Sequence, residues 1–177
     1  MSRPTPEAPT PDEKDWTYVI EAGCAACGFD PSFDVTTTGD RLRTAVPRWE
    51  AALARPDATN RPEPAVWSPT EYAAHVRDVC ALFRQRLELM LTEDDARFAN
   101  WDQDETAVAE RYWEQSPDLV AAQLAHEATS TAAAFDGVAD DQWERRGTRS
   151  NGSVFTVRTF AAYFLHDVEH HLHDVRA

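Results

Sequence analysis

One helix is written into the chain with a defined start. Ser68 is an N-cap residue, Pro69 suits the first helical position because its missing N–H would be unsatisfied there anyway, and Glu71 completes a capping box. The run that follows, YAAHVRDVCALFRQRLELML, makes a helix of about 23 residues, roughly 34 Å at 1.5 Å per residue. Val76, Val79, Cys80, Phe83, Leu87 and Met90 recur along one side of it. A rod of that length with one apolar stripe has to bury the stripe against other rods.

Three further segments offer such partners. Leu42, Val46, Trp49 and Leu53 predict a helix over Gly39–Ala54, which Pro47 either kinks or delays. Ser116 and Pro117 open another helix that runs to Phe135. A last one spans Thr156–Val175, with Phe160, Phe164, Val168, Leu172 and Val175 on one side. Residues 93–115, acidic and aromatic, read as a lid or short helix over the bundle end. The connector Asp140–Ser153 carries turn residues Gly147, Asn151 and Gly152, and is compatible with a short hairpin. No alternating strand run and no internal repeat is visible. The expected fold class is therefore all-α, a four-helix bundle with an irregular N-terminal segment.

The domain organisation follows from the same signals. Pro4, Pro6, Pro9 and Pro11 make residues 1–14 a disordered tail, and residues 15–177 form a single domain. Within it, residues 15–34 are expected to cross the body on Trp16, Tyr18, Phe29 and Phe33. A chain of 177 residues can bury its own core without staples.

Charge excludes whole classes of function. Against 17 basic residues stand 31 acidic ones, a formal charge of -14. Such a surface repels phosphate backbones and anionic membranes, which bind through Lys and Arg, so neither nucleic acid nor membrane is expected as a partner. No apolar run is long enough to span a bilayer and no leader pattern is present, which makes a cytoplasmic location the default.

Histidines carry the functional signal. His166 and His170 are four apart, so their imidazoles can meet one cation on one helix face. His75, the only histidine of its helix, is the candidate third ligand, giving a divalent metal on His75, His166 and His170. His171 is expected to point toward the apolar side and His173 to lie a turn beyond the pair. His126 reads as a surface or core-edge residue. The bland alternative is compensation of the helix dipole by histidines at a C-terminus. Asp167 and Asp174 read as surface acids or as acceptors that orient an imidazole. Tyr163, one turn before His166, is either a core-edge tyrosine or an aid to a substrate oxygen. Cys24 and Cys27 have half the spacing of a zinc knuckle, but no second CxxC follows and no βαβ setting surrounds them. They are expected to be a structural or incidental pair.

At WSPTEYAAHVRDV (Trp67–Val79), NWDQDETAVAERYWEQ (Asn100–Gln115) and FTVRTFAAYFLHDVEHHLHDV (Phe155–Val175), the chain resembles the DinB-like superfamily. That superfamily includes the mycothiol-dependent maleylpyruvate isomerases and the bacillithiol and mycothiol S-transferases. The likeness spans roughly residues 35–177. It implies a four-helix bundle with a metal on a triad whose members match His75, His166 and His170; some relatives carry Glu where this chain has His166. The usual ligand positions do not include His171 or His173.

Three imidazoles leave an open position on the ion, where a thiol or a water is made more acidic. The resemblance thus implies transfer or addition of a low-molecular-weight thiol, mycothiol-like, to an electrophilic small molecule. Alternatives are a thiol-dependent isomerase of maleylpyruvate type and a non-catalytic metal-binding or stress-response module. Zinc is the first expectation for the metal, with Ni, Fe, Co, Mn and Cu also accepted by such ligands. A homodimer is compatible with the residues and required by none of them.

Overall fold

The computed structural model describes residues 5–9 and 14–177. Four long helices carry the architecture: α2 (Thr38–Leu53), α3 (Pro69–Thr92), α5 (Pro117–Asp136) and α6 (Val157–Asp174). Short elements surround them: α1 (Val19–Ala22), β1 (Ala96–Phe98), α4 (Gln103–Ala109), β2 (Arg146–Arg149) and β3 (Val154–Thr156). No helix among the described residues is long and apolar enough to cross a membrane. Of the proline-rich tail, residues 1–4 and 10–13 lie outside the described residues. Residues 5–9 have no regular structure, and the Glu7 carbonyl accepts from Arg61 Nη1 at 2.7 Å.

The cap at Ser68 forms as its residues require. Ser68 Oγ accepts from Glu71 N–H at 3.3 Å, and Glu71 Oε2 accepts from Ser68 N–H at 2.9 Å. All six apolar residues of the α3 stripe are buried, as are Phe160, Phe164, Val168 and Leu172 of α6 and Val175 at its C-cap. Helix α2 starts at Thr38 and continues through Pro47. Both α5 and α6 pack against α2 and α3, so each of the latter two lies beside the same two partners. The faces of α3 and α6 that meet hold the residues of interest.

The all-α expectation requires a correction. A three-stranded sheet in the order β1-β2-β3 closes one end of the bundle, with β1 parallel and β3 antiparallel to β2. Its strands are three or four residues long, too short to show alternation, and β1 meets β2 across about fifty residues of sequence. The expected hairpin supplies β2 and β3, turning at Gly152, whose φ is +95°. Gly147 of β2 is required by closeness: a Cβ there would stand 2.7 Å from Phe98 Cε1 and 2.8 Å from Met90 Cγ.

The N-terminal segment lies on the bundle as anticipated, with Val19, Cys24 and Phe29 buried and Trp16 and Phe33 packed against the core. Tyr18 is the exception, at 38% exposed. Arg41 of α2 holds Glu169 of α6 through two bonds of 3.0 and 2.7 Å, and its guanidinium lies 4.4 Å over the Phe33 ring. One side of α6 is thereby covered by the N-terminal segment, while another faces α3.

Candidate metal centre and its cavity

Along α6 a residue turns 100° from its predecessor, so neighbours in sequence face different partners. The stretch from His166 to His171 contains two overlapping i,i+4 pairs, His166 with His170 and Asp167 with His171. The structure sends them to different places. Donor atoms of His75, Asp167 and His171 gather within 4.8 Å of one another, and those of Cys24, Cys27, His166 and His170 form a separate group within the same limit.

The expected triad is therefore divided. His166 and His170 do come together, but His75 meets the pair one residue further along. The physical reason is rotation: α3 faces the Asp167–His171 stripe, and Trp16 and Phe29 of the N-terminal segment pack on the His166–His170 stripe. The signal for this arrangement was present in the sequence as the four-residue spacing of Asp167 and His171. Nothing local says which of two adjacent pairs looks at α3. His171 is a cluster member rather than a core-facing residue, and His126 and His173 are exposed and belong to neither group.

His75 is 1% exposed and held by aromatic rings. Trp101 stacks on it at 5.5 Å and 11°, Trp67 leans on it at 5.5 Å, and His171 presents an edge at 4.9 Å. Both ring nitrogens of His75 and Oδ1 of Asp167 are buried without a hydrogen-bond partner. Buried polar atoms are rarely left so, because each forfeits its water for nothing. Yet His75 Nε2 and Asp167 Oδ1 stand 3.3 Å apart. Two ligands of a tetrahedral ion with bonds of about 2.0–2.2 Å stand about 3.3–3.5 Å apart, so the spacing fits an ion between them. His171 Nε2 lies 3.9 Å from the same oxygen.

The surroundings prepare these donors. His171 Nδ1 is 2.8 Å from Asp174 Oδ2; a proton on that nitrogen leaves the Nε2 lone pair facing the cluster. Burial works to raise the Asp167 carboxyl, but the charge of His75, with His171 and His166 behind it, holds it down to about 2. Burial likewise pushes His166 down to about 4, with His170 adding to the effect, and lowers His170. These imidazoles stay neutral at pH 7 and keep a lone pair for a ligand bond.

Asp167 and His171 open into a cavity of about 820 Å³. Trp16, Trp67, Tyr72, Trp101, Tyr163 and Arg149 are among its lining. The size suits a small-molecule ligand, for which pockets of about 300–1,000 Å³ are usual. Arg149 is a residue that no motif singled out, lying in a connector. The β2–β3 turn fixes it: Nε donates to Asn151 Oδ1 at 3.0 Å and Nη2 to Ser153 Oγ at 3.1 Å, which leaves the guanidinium beside Tyr163.

Comparison with known proteins supports the architecture. A model of the DinB superfamily matches residues 40–175. No curated protein matches the chain. Among solved structures the chain is similar to YfiT from Bacillus subtilis, described as a probable metal-dependent hydrolase with an unusual four-helix bundle topology. The TM-score is 0.69 at 15% identity, over 80% of this chain and 85% of that one.

Proposed function

We propose that this chain, which belongs to the DinB superfamily, is a metal-dependent enzyme that joins a low-molecular-weight thiol to an electrophilic small molecule in the cavity above His75, Asp167 and His171. The observation that carries the reading is the pair of buried, unpartnered donors, His75 Nε2 and Asp167 Oδ1, 3.3 Å apart, with Asp167 and His171 lining that cavity. A divalent ion, zinc foremost, would be held by one imidazole of α3 and an imidazole and a carboxylate of α6. When bound, such an ion stabilises the anionic form of a thiol or a water and makes it a nucleophile at neutral pH.

The protein's own residues do the rest. Trp67 and Trp101 fix the plane of His75, and Asp174 fixes that of His171, so the donors are aimed before any ligand arrives. Arg149 offers a fixed cation to a carboxylate or other anionic group of the substrate. Trp16 and Trp101 wall the cavity and limit water around the reacting atoms.

Hydrolysis is the second reading, favoured by the description of YfiT and by the same open cavity. Both are tested with metal-loaded protein, monochlorobimane and a panel of small thiols. Adduct formation is expected to need the metal and to fall in His75→Ala by more than the roughly 10- to 100-fold that outer partners of a metal site command. Metal-dependent ester cleavage with no thiol adduct selects the hydrolase, and activity unchanged in His75→Ala removes both.

A further inference from the structure

The second group, shared between α6 and the N-terminal segment, has a different composition and a different setting. It contains two cysteines and two histidines, Cys24, Cys27, His166 and His170, each offering one donor atom within 4.8 Å of the others. The spacing is C-x2-C on one segment and H-x3-H on another, which are the half-patterns of a structural zinc site. A search for a second CxxC misses the partner half because it lies about 140 residues away and is made of imidazoles.

The spacing of the donors agrees with one ion. Cys24 Sγ lies 3.6 Å from His170 Nδ1. Bonds of about 2.3 Å to sulfur and 2.0–2.1 Å to nitrogen at a tetrahedral angle put those two atoms about 3.5–3.6 Å apart. An independent sign is His166, 4% exposed, whose Nε2 is buried without a hydrogen-bond partner. The loop is built to present both sulfurs. Cys24 N–H donates to the Phe29 carbonyl at 2.9 Å and Gly28 N–H to the Cys24 carbonyl at 2.8 Å, with Gly28 at φ +78° closing the turn.

We propose that Cys24, Cys27, His166 and His170 form a four-ligand zinc site that fastens the N-terminal segment to α6. Two thiolates and two imidazoles fill all four positions of a tetrahedral ion, so this site has no room for substrate and is structural. The site also shapes the cavity, since His166 and His170 are themselves part of its lining. The stapled segment carries Trp16, which packs on His166 and His170 and forms part of the cavity wall.

The test uses full-length protein loaded with cobalt in place of zinc. A thiolate-to-cobalt charge-transfer band is expected in the near ultraviolet, with two equivalents of metal bound. Cys24→Ser/Cys27→Ser should lose the band and one equivalent, whereas His75→Ala should keep the band and lose the other. Absence of the band in the parent, or full metal content in the double variant, overturns the site. If the double variant does not fold, thiol reactivity of the parent decides. Zinc should protect two thiols that a chelator then exposes, Cys80 being fully buried as an internal control. Equal reactivity with and without zinc, or a Cys24–Cys27 disulfide recovered from zinc-containing buffer, also overturns it. A band that persists while His75→Ala costs no metal leaves this site standing and removes the cavity centre instead.

Discussion

The two sides of α6 carry similar candidate ligands in different settings. On one side His75, Asp167 and His171 supply three donors beside a cavity of about 820 Å³. On the other, Cys24, Cys27, His166 and His170 supply four donors beneath Trp16 and Phe29. Three ligands leave a position on a tetrahedral ion open for chemistry, whereas four fill it and suit architecture, even though His166 and His170 border the same cavity. What separates them is one residue of helical rotation. The carboxylate of Asp174 stands between the sites, with Oδ2 2.8 Å from His171 Nδ1 and Oδ1 3.8 Å from His170 Nε2.

The largest effects should come from breaking one side at a time. Asp167→Ala and His171→Ala are each expected to weaken metal binding at the cavity site by more than about 100-fold, beyond what loss of an outer partner costs. Competition with a chromophoric chelator measures this, and the thiolate band should survive in both variants. If His166→Ala also empties the cavity site while Asp167→Ala spares it, the metal sits on the triad expected from sequence, His75, His166 and His170.

Acid should act on the metal-free protein through the covered side. His166 is lowered to about 4 by burial and by His170, against an ordinary value near 6.5. The unfolded chain therefore binds the extra proton first, and stability falls as the pH drops from about 6.5 to about 4. With 1.36 kcal/mol per unit, this one residue accounts for a loss of order 3 kcal/mol. Urea titrations of chelator-treated protein at several pH values should show that slope, and a His166→Phe variant should flatten it. An identical slope in the variant would assign the acid sensitivity to other groups.

A smaller, asymmetric effect is expected from Asp174→Asn. It removes the charged acceptor that orients His171, so affinity at the cavity site should fall roughly 10- to 100-fold. The four-ligand site should change less, because its Asp174 contact is 3.8 Å long and not a hydrogen bond. Equal losses at both sites would mean that Asp174 couples them rather than serving one. The mildest change is Ser68→Ala, which deletes the cap of α3 and should cost about 1 kcal/mol without altering either site's metal affinity. Thermal unfolding of the metal-free form reads the first part and chelator competition the second.

Local and periodic information was legible from the residues alone. The cap at Ser68, the apolar stripes of α3 and α6, the i,i+4 histidine pair and the concentration of ligands on the last helix all depend on neighbours within a turn or two. Tertiary structure decided what depends on partners far apart in the chain. It chose which stripe of α6 would face His75, since a single residue turns the helix by 100° and no local signal sets that angle. It also brought Cys24 and Cys27 to His166 and His170, paired β1 with β2, and placed Arg149 over the cavity. Each of these contacts closes a long loop, and it forms only after the bundle has fixed where both ends lie.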